Sequence, residues 1–172
     1  IDRNKYTKDG ECVEDGSDAV SALRGYVKSD LVNSAVVFSA GLNPRVYSYL
    51  ENSNAFDANV NCEYVKKIIV KVSDYRSALI QGKYLAKKGI WVSEFRIESG
   101  LNCGGHAFAT EGYLLGPVLE EFKTNKKELI ATLFELYTIA LQKKNSNRLA
   151  SPPDMAITVQ GGIGTHEEDE FL

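Results

Sequence analysis

A chain of 172 residues is long enough for one compact domain with a single buried core, and its 44% apolar and 25% charged content is that of an ordinary folded protein. A net charge of −3 gives no electrostatic footprint for nucleic acid or for an anionic membrane surface. No apolar run approaches the roughly 18 residues that a spanning helix needs, so neither nucleic acid nor membrane is an expected partner.

In chain order, residues 1–16 are polar and glycine-punctuated and read as a lead-in or loop. Residues 17–172 read as one α/β domain. Ser17 or Asp18 can cap a helix whose apolar positions are Ala19, Val20, Leu23, Tyr26, Val27 and Leu31. Ala35 to Gly41 is short, apolar and β-rich, and reads as a buried strand. Asn43 and Pro44 then form a cap and first position for a helix carrying Val46, Tyr47 and Leu50. Lys67 to Val72 is the next strand. Ser73 or Asp74 caps a helix with a small-residue face (Ala78, Leu79, Gly82, Leu85, Ala86) that stops at Lys87-Lys88-Gly89.

Ile90 to Ile97 reads as a third strand, residues 98–123 as a glycine-containing connection, and Leu129 to Leu141 as a strong helix. Ser151-Pro152-Pro153-Asp154 is a loop before the last strand, Ala156 to Val159. That strand ends in Gln160-Gly161-Gly162-Ile163-Gly164, and Thr165 with Glu168 has capping-box spacing for a final helix. Apolar strands alternating with amphipathic helices indicate parallel strands joined by right-handed crossovers. Two architectures fit: part of a closed (β/α) TIM-type barrel, or an open doubly wound sheet. A complete barrel has eight strands in typically about 250 residues, so four strands make a partial barrel. The start at Ile1 and the acidic run stopping at Phe171-Leu172 read as cuts in a longer protein.

Parallel α/β proteins bind ligands at the C-terminal ends of their strands, which selects two glycine-rich segments. In Gly100-Leu101-Asn102-Cys103-Gly104-Gly105-His106, adjacent glycines let backbone approach a ligand and a histidine can move a proton near neutral pH. In Gly161-Gly162-Ile163-Gly164-Thr165, a strand runs through glycines into a helix start, an arrangement that offers N–H groups to a phosphate. Glu167, Glu168 and Asp169 oppose that by placing negative charge in the first turn. Lys71, near a strand end, could meet a phosphate or a reduced flavin ring, although a strand lysine is more often solvated. Glu94 and Glu98 could face a site, with solvent as their default.

Cys12, Cys62 and Cys103 are odd in number and widely spaced. They are a poor disulfide framework and suit free thiols in a reducing cytoplasm, the expected location. A zinc site from these cysteines and His106 lacks any CxxC pair, so no metal is expected.

Taken in order, Val36 to Pro44, Ile69 to Ser73 with the small-residue helix after it, Gly100 to His106 and Ile157 to Thr165 resemble successive segments of the nitronate monooxygenase family, the former 2-nitropropane dioxygenases. The resemblance covers residues 35–172. It implies a TIM barrel that binds FMN noncovalently and acts as a monooxygenase-type oxidoreductase. His106 would take a proton from a nitronate substrate, and Gly104 and Gly105 would line the flavin. Gly161, Gly162, Gly164 and Thr165 would hold the FMN phosphate, with Lys71 nearby. Flavin-type enoyl-acyl-carrier-protein reductases share the loop architecture, which leaves an enoyl thioester as the alternative substrate. A noncatalytic phosphate-binding or assembly module is a third reading. Asn102 and Cys103 depart from the acidic and small residues usual before Gly-Gly-His, and the family's first strands and last strand are missing. A partial barrel exposes strand edges, so a homo-oligomer or the rest of its own chain is the expected partner.

Overall fold

The computed structural model describes residues 2–59, 63–98, 115–144, 149–161 and 165–171. Four strands, β1 (Ser34–Phe38), β2 (Lys66–Val72), β3 (Glu94–Glu98) and β4 (Ala156–Gln160), form one parallel sheet in the order β1-β2-β3-β4. Five helices interleave with them: α1 (Asp18–Lys28), α2 (Pro44–Glu51), α3 (Tyr75–Ala86), α4 (Leu115–Lys143) and α5 (His166–Phe171).

Right-handed crossovers between neighbours taken in sequential order put every crossover helix on the same face. A doubly wound sheet would need its strand order to reverse, and these four strands never do. The architecture is therefore a partial β/α fold of the barrel kind, and its sheet is not closed. Register separates the two faces. Phe38, Val70, Phe95 and Ile157 lie side by side, and with Ile68, Val72 and Ile97 they face the helices. Val37, Ile69, Glu94 and Ala156 form a row on the other, open face, followed by the row Lys71, Arg96 and Thr158.

Local chemistry sets the helix starts. The Ser17 hydroxyl accepts from the Val20 N–H, the Asn43 side chain from the N–H groups of Arg45 and Val46, and the Asp74 carboxylate from the Ser77 N–H at 2.6 Å. Burial pushes the Asp74 carboxyl upward, but hydrogen bonds from Ser77 and Ser73, with Arg76 nearby, hold it below its ordinary value. Gly89 follows α3 at φ 72, a left-handed position that suits glycine.

Helix α4 and the third strand begin elsewhere than the sequence reading placed them. Helix α4 starts at Leu115 rather than Leu129, because Gly116 and Pro117 sit in its first turn, where proline is tolerated. Its early residues Val118 and Phe122 are buried, with Phe122 edge-on to Tyr75 at 5.5 Å between centroids. The third strand starts at Glu94, and Ile90 to Val92 are a buried lead-in. There the Trp91 indole donates to the Asp154 carbonyl at 3.2 Å, and the ring packs on Phe134 and Tyr137. The polar lead-in is also tied down. Tyr6 and Cys12 form an antiparallel bridge, and the Asp2 carboxylate accepts from the Ala19 N–H at 3.2 Å. No helix among the described residues is long and apolar enough to cross a membrane.

Candidate functional site

All four strands run the same way, so their C-terminal ends lie along one edge of the sheet. Helices α2, α3 and α5 start from that same edge. At the ends of β2 and β3 the helix-side residues are apolar and the open-face residues are charged. On β3 the alternation is strict: Phe95 and Ile97 are fully buried under the helices, while Glu94, Arg96 and Glu98 take the other face.

Two polar clusters result. At the strand ends, the Lys71 ammonium donates to Glu98 Oε1 at 2.9 Å. Glu98 is only 7% exposed, so this ion pair is mostly withdrawn from water. One layer toward the N-terminal ends, Glu94 Oε1 accepts from Arg96 Nε at 2.8 Å and from the Thr158 hydroxyl at 2.6 Å. Opposite charges are thus matched within the face. Each carboxylate fixes the direction of a cation, and a ligand at the strand ends meets an oriented ammonium rather than a freely rotating one.

The loop after β1 is held rigidly beside this edge. The Tyr47 hydroxyl donates to Gln81 Oε1 at 2.8 Å, and Gln81 Nε2 donates to the Ala40 carbonyl at 3.0 Å. Burial, reinforced by Tyr84, pushes the Tyr47 phenol up to about 12, so it stays a donor throughout the neutral range. Helix α1 is locked to the sheet by Lys66, whose ammonium reaches the carbonyls of Tyr26, Val27 and Ser29 at 2.7, 2.9 and 2.8 Å. That cation meets the negative end of α1 and lies 5.1 Å from the centre of the Tyr26 ring.

Of the residues the sequence singled out, Lys71 lies at the strand ends but is half-buried and paired, not solvated. Glu98 is its partner, and the solvent default for Glu94 and Glu98 gives way to these two clusters. Gly161 directly follows β4 at φ 78, a turn conformation that suits glycine, and Thr165 is exposed just before α5. Glu167 and Glu170 in α5 are exposed, and Glu170 lies 3.3 Å from His166. Gly104, Gly105, His106, Cys103, Cys62, Gly162 and Gly164 lie outside the described residues. Among the described residues no group of three His, Cys, Asp or Glu side chains could hold a metal ion.

Sequence reasoning missed Lys66, Arg96 and Thr158. The signal for Arg96 was the charge at every second position from Glu94 to Glu98, which marks one strand face. Lys66 offered no local signal, because its acceptors lie far away in sequence.

Fold and site together define an α/β protein whose open parallel sheet carries polar, charge-paired clusters at its strand ends. No protein-family model, curated protein or solved structure matches the chain.

Proposed function

We propose that this chain forms the ligand edge of an FMN-dependent oxidoreductase, nitronate monooxygenase-like, acting on a small carbon acid. The observation that carries the reading is the oriented Lys71–Glu98 pair on the open face at the strand ends, on the same edge as the Gly161 turn. That donor set suits the polar edge of a flavin, which needs a directed hydrogen-bond donor near its ring and backbone N–H groups near its phosphate. When bound, FMN would supply the two-electron chemistry. Lys71 would donate to the ring, with Glu98 fixing the ammonium. Gly161, Gly162, Gly164 and Thr165 would hold the phosphate. His106 would accept the proton of a nitronate, or supply one to an enoyl thioester if that is the substrate.

The test is FMN titration followed by visible absorption and flavin fluorescence after removal of excess ligand. Stoichiometric retention is expected. Lys71→Ala should weaken binding about tenfold, the loss of one directed donor worth about 1.4 kcal/mol. His106→Ala should keep the flavin and lose turnover of a nitroalkane anion. Absence of retained flavin, or binding of inorganic phosphate without it, would overturn the oxidoreductase reading. The second outcome would favour the noncatalytic phosphate-binding module.

A further inference from the structure

Where the strands begin, at the end of the sheet away from Lys71 and Glu98, the open face carries a cavity of about 880 Å³. Ala35, Ile69 and Ala156 give it an apolar floor. Among the described residues, the charged side chains that line it are Glu63, Lys67, Glu94 and Asp154. Two of these are engaged. Glu94 accepts from Arg96 and Thr158, and Glu63 accepts from the Asn59 amide at 3.3 Å. The other two are not. The Lys67 ammonium and the Asp154 carboxylate are exposed and have no hydrogen-bond or ion-pair partner among the described residues. Register fixes their spacing. Ile69, Glu94 and Ala156 are partners across the sheet. Lys67 stands two residues before Ile69, and Asp154 two residues before Ala156. A cation and an anion thus sit at one level of the same cavity, two strand spacings or about 10 Å apart.

We infer that this cavity binds a free α-amino acid with an aliphatic side chain, its carboxylate held by Lys67 and its ammonium by Asp154. The charged atoms of such a zwitterion lie roughly 3 Å apart, and a charge-assisted hydrogen bond at each end adds about 2.8 Å. The two protein groups then stand about 8–9 Å apart, a separation that side chains rooted about 10 Å apart reach inside the cavity. Both signs are needed. A simple carboxylate attracted by Lys67 is repelled by Asp154, and a simple amine meets the reverse. The floor of Ala35, Ile69 and Ala156 suits an aliphatic side chain rather than a polar one. A neutral stretch of polypeptide laid over the same place would instead strand both charges away from water. Lys67 lies four residues, or about 13 Å, along β2 from Lys71, so this inference does not rest on the flavin reading.

Isothermal titration calorimetry of L-valine into the full 172-residue chain tests it, with N-acetyl-L-valine and L-valinamide as probes that each lack one charge. Valine should bind with one molecule per chain, and each single-charge probe about tenfold more weakly or worse. Lys67→Met and Asp154→Asn should each weaken valine about tenfold. Far-UV circular dichroism should stay unchanged in both, because the side chains are exposed and Asp154 holds Trp91 through its backbone carbonyl. Exchanging the charges, Lys67→Asp with Asp154→Lys, should recover binding that either half of the exchange abolishes, since the ligand can turn round. No saturable heat with valine would overturn the inference. So would equal binding of a single-charge probe, or valine binding that neither variant weakens.

Discussion

Replacing Lys66 by methionine tests whether the buried ammonium, and not merely its aliphatic stem, holds α1 against the sheet. Methionine keeps most of the stem's volume and removes the charge. The Tyr26 carbonyl retains other donors, the Ser29 N–H at 3.2 Å and the Ser29 hydroxyl at 2.7 Å. The carbonyls of Val27 and Ser29 lose an ammonium at 2.9 and 2.8 Å. Two part-buried carbonyls deprived of a charged donor cost about 1–2 kcal/mol each, and the lost attraction to the helix end and the Tyr26 ring adds a fraction more. The sum is about 3 kcal/mol. For a chain of this size it corresponds to a fall in Tm of about 6–12 °C. Thermal and urea unfolding followed by circular dichroism would measure it, with the urea m-value checking that the transition keeps its cooperativity. A change below about 0.5 kcal/mol would refute the reasoning. It would mean that the desolvation cost of burying the cation cancels its hydrogen bonds.

Other predictions follow from single distances. A Cβ on Gly82 would lie 2.7 Å from Leu133 Cδ1 and 3.0 Å from Phe95 Cζ, inside a seam where both neighbours are buried. Gly82→Ala should therefore destabilise by about 1 kcal/mol despite the helix-propensity gain, whereas Gly25→Ala, which meets nothing within 4 Å, should stabilise by about 0.5–1 kcal/mol in the same urea assay. Asp74→Ala removes the α3 cap and should cost about 1 kcal/mol near neutral pH. Because the folded Asp74 titrates below its ordinary 3.8, its stabilisation is complete above that pH. The difference between wild type and variant should shrink as pH falls below it, which urea curves at pH 7 and in acid would reveal. The raised Tyr47 phenol has the opposite sign. Its contribution is intact below its ordinary value of 10.0 and should be lost as pH rises toward about 12, so alkaline unfolding should become less steep in Tyr47→Phe.

The parts of the fold legible in the sequence were those set by local chemistry. Ser17, Asn43 and Asp74 announce helix starts because capping is decided within three residues, and the structure uses all three. The strands were visible as short β-branched runs, and the alternation of strand and helix implied the parallel sheet. The first half of α4 was hidden, because Gly116-Pro117 reads as loop chemistry until Phe122 is seen to pack against Tyr75. The choice between an open doubly wound sheet and a barrel-type sheet was also hidden, since it depends on strand order, which periodicity does not encode. At the site, the bias of lysine toward water argued against Lys71. That bias describes isolated lysines, and it reverses where the neighbouring strand presents Glu98 at the same level. Lys66 was illegible for a related reason: its acceptors belong to a helix end nearly forty residues earlier.

The open face makes the strongest link between fold and chemistry. A sheet meant to stay open to water would have no need to match its charges. Solvated ion pairs contribute little, and side-chain entropy works against fixing them. Here Glu98 is withdrawn from solvent, and Glu94 takes two donors on one oxygen. Such satisfaction is what an enclosed polar layer requires, since each unpaired charge would cost several kcal/mol once water is excluded. The helix side argues the same way from its own chemistry, because Ile157 and Val159 are apolar and incompletely covered. Both faces of β4 are therefore left partly uncovered by the described residues. A neighbour packed beside β4 would bury its apolar side and enclose the charge-paired face in the same step.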